Sequence, residues 1–289
     1  MRSTLHILPR AWLLSLSVVW LSLCPAAAAE KASAALSVKD GLTSPNQAAT
    51  IEAQLVAKGL LMSAGLGGEP LELVVDGKVV ATAMTGGDGK AFLSYTSKAQ
   101  GVVPVLVRVG NSPRISPVDS RANLAVWERR SPIVAVEMAA LIDEPSAQSP
   151  PPAVRLMLDS DRMPMPDAAD ELGKLTQFYY RVVYVVTAPG GSDGFRASVE
   201  AREWLRIHKF PTGHILVLPP GDNALGTKID ELHAAGWKTI KIGIGRTKAF
   251  AEAFLQRRLE AVIVPQPAKG EAPRKAKVAN GWKDIRKRL

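Results

Sequence analysis

The chain has almost no cysteine. Its single one, Cys24, lies in an apolar N-terminal stretch, so the remainder has no disulfide, no thiolate metal site and no cysteine nucleophile. Histidine is nearly as scarce. Beyond residue 29 only His208, His214 and His233 occur, too scattered to suggest a zinc site. Long apolar runs are missing as well: nothing after Leu23 approaches the ~18 apolar residues that a membrane-spanning helix needs.

What is present begins with an export signal. Arg2 and Arg10 precede the short apolar run Ala11 to Leu23, and Ala27-Ala28-Ala29 supply small residues before Glu30. This order predicts a secretory signal peptide over residues 1–29, cleaved to leave a periplasmic or secreted protein. A lipid anchor on Cys24 would want a small residue where Leu23 stands. At 47% hydrophobic and 22% charged, the chain is of globular composition.

The formal charge of +9 is unevenly spread. The signal holds two of the 36 basic residues and none of the 27 acidic ones. Lys269 to Leu289 carries eight Lys or Arg against two acids, which leaves the body between them about neutral. Residues 267–289 are therefore expected to form a basic tail. On an exported protein its partners would be anionic lipid headgroups or envelope polymers rather than nucleic acid, with Trp282 as an interfacial anchor for peripheral membrane contact.

The pattern changes near Arg130. Before it, short alternating runs lie between turn signals: Thr50 to Val56, Leu71 to Val75, Val79 to Met84, Ala91 to Tyr95, Val102 to Val109 and Asn123 to Trp127. This predicts an all-β sandwich over residues 30–130, with Asp76-Gly77 as a two-residue hairpin turn. After it, near-continuous apolar runs alternate with helical segments. The runs are Pro132 to Met138, Arg181 to Val186, His214 to Leu218, Thr239 to Ile244 and Ala261 to Val264. Strands buried on both faces and alternating with helices predict an α/β three-layer parallel sheet over residues 131–266. Asn223 is the expected cap of the helix after the third strand. A proline-rich flap, residues 142–166, interrupts the alternation after the first strand. Each half is of domain size, so a fragment starting near Ser131 is expected to fold alone.

Parallel sheets of this kind bind ligands beyond the carboxyl ends of their strands. Those ends carry Glu137-Met138-Ala139, then Thr187, then Lys228 in the following helix, then Gly243-Ile244-Gly245-Arg246-Thr247. Taken with Trp204-Leu205, Phe210-Pro211, Gly213 and Ile215, this order resembles the haloacid-dehalogenase (HAD) superfamily of phosphotransferases. The similarity is to its lipin and Nir-type lipid-sensing branch, in which an immunoglobulin-like module precedes a Rossmannoid HAD domain. The segment before Arg130 likewise resembles the immunoglobulin-like modules of bacterial envelope proteins, through Thr85 to Ala91. The resemblance implies a ligand such as phosphatidic acid, another anionic phospholipid or a phosphorylated small molecule. It also implies that Thr187, Lys228, Gly243, Gly245, Arg246 and Thr247 would hold it.

Departures from that family's pattern point away from catalysis. Its first strand ends D-x-D-x-T, one Asp attacking phosphorus and the other moving the proton. Here Glu137 occupies the nucleophile position and Ala139, which has no proton to give, the other. Arg246 and Phe250 stand where acids would hold Mg²⁺. The expectation is a pseudoenzyme without cofactor that binds a phosphate-bearing ligand or an envelope protein as a scaffold. The alternative is a Mg²⁺-dependent, phosphatidate phosphatase-like enzyme. It would use Asp159 and Asp161, which end the apolar run Leu156 to Leu158 in a second D-x-D.

Overall fold

The computed structural model describes residues 31–58, 64–143, 162–188, 192–221 and 223–289, and Lys31–Leu289 form one compact unit. The expected signal peptide and most of the flap, with Asp159 and Asp161, lie outside the described residues.

The first half is a β-sandwich. One sheet has the order β1 (Ala34–Val38), β3 (Ala48–Ala57), β6 (Lys90–Thr96). The other runs β2 (Gly41–Thr43), β8 (Asp119–Val126), β7 (Gly101–Val109), β4 (Pro70–Val75), β5 (Lys78–Met84). Alternate residues such as Ile51, Leu55, Leu73, Leu93, Val107 and Leu124 point into a common core. The β4–β5 hairpin turns through Asp76 and Gly77, both at positive φ (49° and 75°), the geometry that makes Asp-Gly a preferred pair.

The second half is a six-stranded sheet in the order β11 (His214–Leu218), β10 (Arg181–Thr187), β9 (Ile133–Glu137), β12 (Ile240–Gly245), β13 (Glu260–Ile263), β14 (Lys277–Val278). Every neighbouring pair is parallel. Val134, Val136, Val182, Tyr184 and Val186 face α1 (Ala168–Phe178) and α2 (Ser192–Ile207). Ile133, Ala135, Val183 and Val185 face α3 (Ala224–Ala234) and α4 (Lys248–Leu255). Burial on both faces explains the continuous apolar runs. At the head of α3, Asn223 stands at the cap position, but its side chain makes no capping hydrogen bond.

Residues 267–289 are not a tail. β14 extends the sheet, and a closing 3₁₀ helix, Trp282–Lys287, packs onto α1. Trp282 is 1% exposed and donates from Nε1 to the Ala140 carbonyl at 2.9 Å, so it is a core residue and not a membrane anchor. Three of the segment's basic side chains pair with acids on neighbouring elements. Lys277 pairs with Glu260, Arg286 with Glu171 and Lys283 with Asp167.

The two halves share a seam. Ala125 and Trp127, at the end of β8, belong to the same buried cluster as Ile133, Ala135 and Trp237. β11 is the outer strand of the parallel sheet, and its Ile215 N–H donates across the seam to Asp40 Oδ2 at 3.1 Å. The sandwich thus covers an edge that would otherwise present unpaired backbone groups.

Candidate functional site

In the sheet order above, successive connections run one way from β9 to β11 and then return to β12. The reversal places a crevice between the carboxyl ends of β9 and β12, where doubly wound sheets bind ligands. Glu137 ends β9, and Gly245-Arg246-Thr247 lead from β12 into α4.

Glu137 turns its carboxylate into this crevice. Oε2 accepts from the backbone N–H of Arg246 (2.7 Å) and of Thr247 (2.9 Å), and Oε1 accepts from the Thr247 hydroxyl (2.6 Å). Thr247 Oγ1 also accepts from Phe250 N at 3.2 Å, closing the first turn of α4. The two N–H groups of the turn that leads into α4, which would otherwise face a ligand, are therefore taken by an acidic side chain of the protein itself. Burial pushes the Glu137 pKa above the usual carboxylate range. The hydrogen bonds from Thr247 and Arg246 and the Arg246 charge oppose that rise without cancelling it.

The two glycines serve this packing. A Cβ on Gly243 would come within 2.6 Å of the Phe254 ring. On Gly245 it would meet Phe250 Cδ1 and lie 2.8 Å from Glu137 Oε2. They admit two phenylalanine rings and a carboxylate, where close approach of backbone to a ligand was expected.

Beside the carboxylate lies a small cavity of about 80 Å³, lined among others by Glu137, Thr187, Gly221, Leu225 and Thr247. Pockets for drug-sized ligands run to roughly 300–1,000 Å³. Of the residues expected to hold a ligand, Thr187 and Thr247 meet here with Glu137. Lys228 does not line this cavity: its ammonium pairs with Glu231 at 2.8 Å, and its charge bears on His214, at the amino end of β11. The Arg246 guanidinium reaches Met165 Sδ at 3.4 Å.

The residues at the expected metal positions do not suit Mg²⁺. Arg246 brings positive charge, and Phe250 is a buried ring packed on the backbone of Gly245. Among the described residues no group of three or more His, Cys, Asp or Glu could hold a metal ion. Ala139 lies in a 3₁₀ turn, Met138–Ala140, directly after β9. The Trp204-to-Gly213 step is core structure. The Trp204 and Phe210 rings stack at 5.3 Å, and a Cβ on Gly213 would strike the Val182 carbonyl and side chain.

Sequence reasoning missed the cluster around Asp40, since neither β1 nor β2 was expected. Asp40 accepts from Arg202 Nε (3.0 Å) and from the backbone N–H groups of Asn123 (2.9 Å) and Ile215 (3.1 Å), joining β8, β11 and α2. The one local signal is a charged Asp beside Gly41 between two apolar runs. Beside it His214 is buried, which pushes its pKa below the usual value against the pull of Asp40.

No family model matches the chain, and no curated protein does. Several solved structures resemble parts of it. A fibronectin(III)-like module of Clostridium thermocellum CbhA is 11% identical, with 32% of this chain and 96% of that one covered (TM-score 0.24). The D0-D1 domain of intimin is 18% identical over 32% of this chain and 49% of its own (TM-score 0.24). D,D-heptose 1,7-bisphosphate phosphatase from Burkholderia thailandensis is 14% identical over 54% of this chain and 96% of its own (TM-score 0.36). Among the described residues no helix is long and apolar enough to cross a membrane.

Proposed function

We propose that this chain is a non-catalytic binding protein of the cell envelope, in which the edge of the parallel sheet serves stability. One observation carries the reading: the Glu137 carboxylate accepts three hydrogen bonds from Arg246 and Thr247 at the start of α4. A carboxylate held in this way is a poor nucleophile, because attack would break the hydrogen bonds that tie the end of β9 to the turn before α4. It also excludes a second anion by like charge, so a phosphate at Arg246 and Thr247 would have to displace it. Export is supported by the pattern of residues 1–29. The resemblance to lipid-sensing HAD domains makes phosphorylated or anionic amphiphiles the ligand class to test, with an envelope protein as the other candidate partner.

The experiment is turnover of p-nitrophenyl phosphate and of phosphatidate with Mg²⁺ present. The expected result is a rate equal to that of a protein-free blank. Mg²⁺-dependent turnover abolished by Asp159→Asn would overturn the reading and make Asp159 the nucleophile.

A further inference from the structure

A larger cavity shares no lining residue with the one at the crevice. It has a volume of about 610 Å³ and lies on the seam, between β7 and β8 of the sandwich and α2 with the start of β11. Apolar groups dominate its walls, with Ala122, Val199, Leu205, Phe210 and Ile215 among them. A second cavity of about 300 Å³ adjoins it at Pro211 and Thr212, which line both. That cavity is bounded by Gln177, Tyr180, Arg181 and Lys209.

The charges around this trough are unbalanced. Its one acid, Glu203, is engaged by Arg206 through two hydrogen bonds (2.6 and 2.9 Å), and Arg202 is committed to Asp40. Arg121 at the larger cavity, and Arg181 and Lys209 at the smaller one, have no acidic partner among the described residues. Apolar walls and uncompensated cations suit one kind of small molecule.

We infer that the seam trough binds a single-chain amphipathic anion, its apolar body in the larger cavity and its acidic group by Arg181 and Lys209. This deepens the binding reading above by naming a site, and it does not depend on Glu137. The volumes fall in the range of small-molecule pockets, whereas the crevice cavity does not. The cations supply the charge-assisted hydrogen bonds that fix a carboxylate or a phosphate.

The test is calorimetric titration of the protein with dodecanoate and dodecyl phosphate, below their micelle concentrations, beside dodecyltrimethylammonium and dodecanol. Both anions should bind one per chain, and the stronger of the two identifies the preferred acidic group. The cation should bind at least about tenfold more weakly. Val199→Trp, which fills the larger cavity, should abolish binding. Arg181→Ala with Lys209→Gly should weaken the anions about tenfold, a loss of about 1.4 kcal/mol, and leave dodecanol unchanged. Glycine suits position 209, where φ is 58°. Absence of anion binding, equal binding of the cation, or unchanged affinity in both variants would overturn the inference. None of these outcomes bears on the phosphatase test, so the two readings fail separately.

Discussion

Arg202 Nη2 lies 2.8 Å from Asp40 Oδ1 across the seam, and the Asp40 side chain is completely buried. The same guanidinium donates to the carbonyls of Val38 and Arg121, so one α2 side chain ties down two strands of the sandwich. Removing one partner of a buried pair costs about 3–5 kcal/mol, because the other charge is left uncompensated. Asp40→Ala should therefore lower the melting temperature by roughly 6–20 °C, at ~2–4 °C per kcal/mol for a unit of this size. Differential scanning calorimetry would show it. A change below about 2 °C would mean that water replaces the pair.

The seam also bears on independence. A fragment starting at Ser131 loses Asp40, Ala125 and Trp127, and with them part of the cluster around Ile133 and Trp237. We expect this fragment to lack a cooperative unfolding transition, while the chain from Lys31 unfolds in one step. A sharp transition in the fragment by circular dichroism would show that the parallel sheet is self-sufficient.

Glu137 predicts a pH dependence whose sign follows from its raised pKa. The folded state holds this proton more tightly than the unfolded chain does. Its contribution to stability is therefore greatest below the ordinary carboxylate range and falls as pH rises from that range through the folded pKa. Carboxylates lowered by arginine partners, such as Asp230 beside Arg257, slope the other way, so the comparison must be a difference. The stability of wild type minus that of Glu137→Gln, from urea titrations at several pH values, should decline as pH rises. A flat or rising difference would contradict the assignment.

Gly245→Ala tests the packing around the same carboxylate. The added methyl would crowd the Phe250 ring and Glu137 Oε2. Overpacking of this kind costs about 1–3 kcal/mol. The loss should be smaller in a Phe250→Leu background, and full additivity in a double-mutant cycle would show that ring and methyl do not meet.

Trp282→Ala should behave as a core truncation, at a cost of about 3–5 kcal/mol, since the indole is buried and its N–H satisfied by Ala140. Deleting residues 268–289 should be more severe, as it exposes β13 and removes the Arg286–Glu171 pair. Denaturant midpoints would measure both. A deletion that unfolds at the wild-type midpoint would restore the view of this segment as a tail.

Local pattern was sufficient wherever one element buries itself by its own periodicity. The runs Ile133 to Glu137 and Arg181 to Thr187 read as strands because both of their faces meet helices, and Asp76-Gly77 reads as a turn because its backbone demands positive φ. Composition also fixed the absence of disulfides beyond Cys24, since no partner thiol exists.

Tertiary structure alone decided what the polar residues do. The resemblance puts Glu137 where a nucleophile is expected, yet it ties down the turn before α4, because parallel pairing of β9 with β12 sets its carboxylate against the N–H groups of Arg246 and Thr247. Lys228 follows the third strand as a pocket lysine would, but α3 holds it outside the crevice cavity. The segment after Pro267 reads as a tail because the acidic partners of Lys277, Lys283 and Arg286, namely Glu260, Asp167 and Glu171, are distant in the chain. A hydrogen bond or an ion pair depends on distances of a few ångströms between groups far apart in sequence, and no local pattern records those distances.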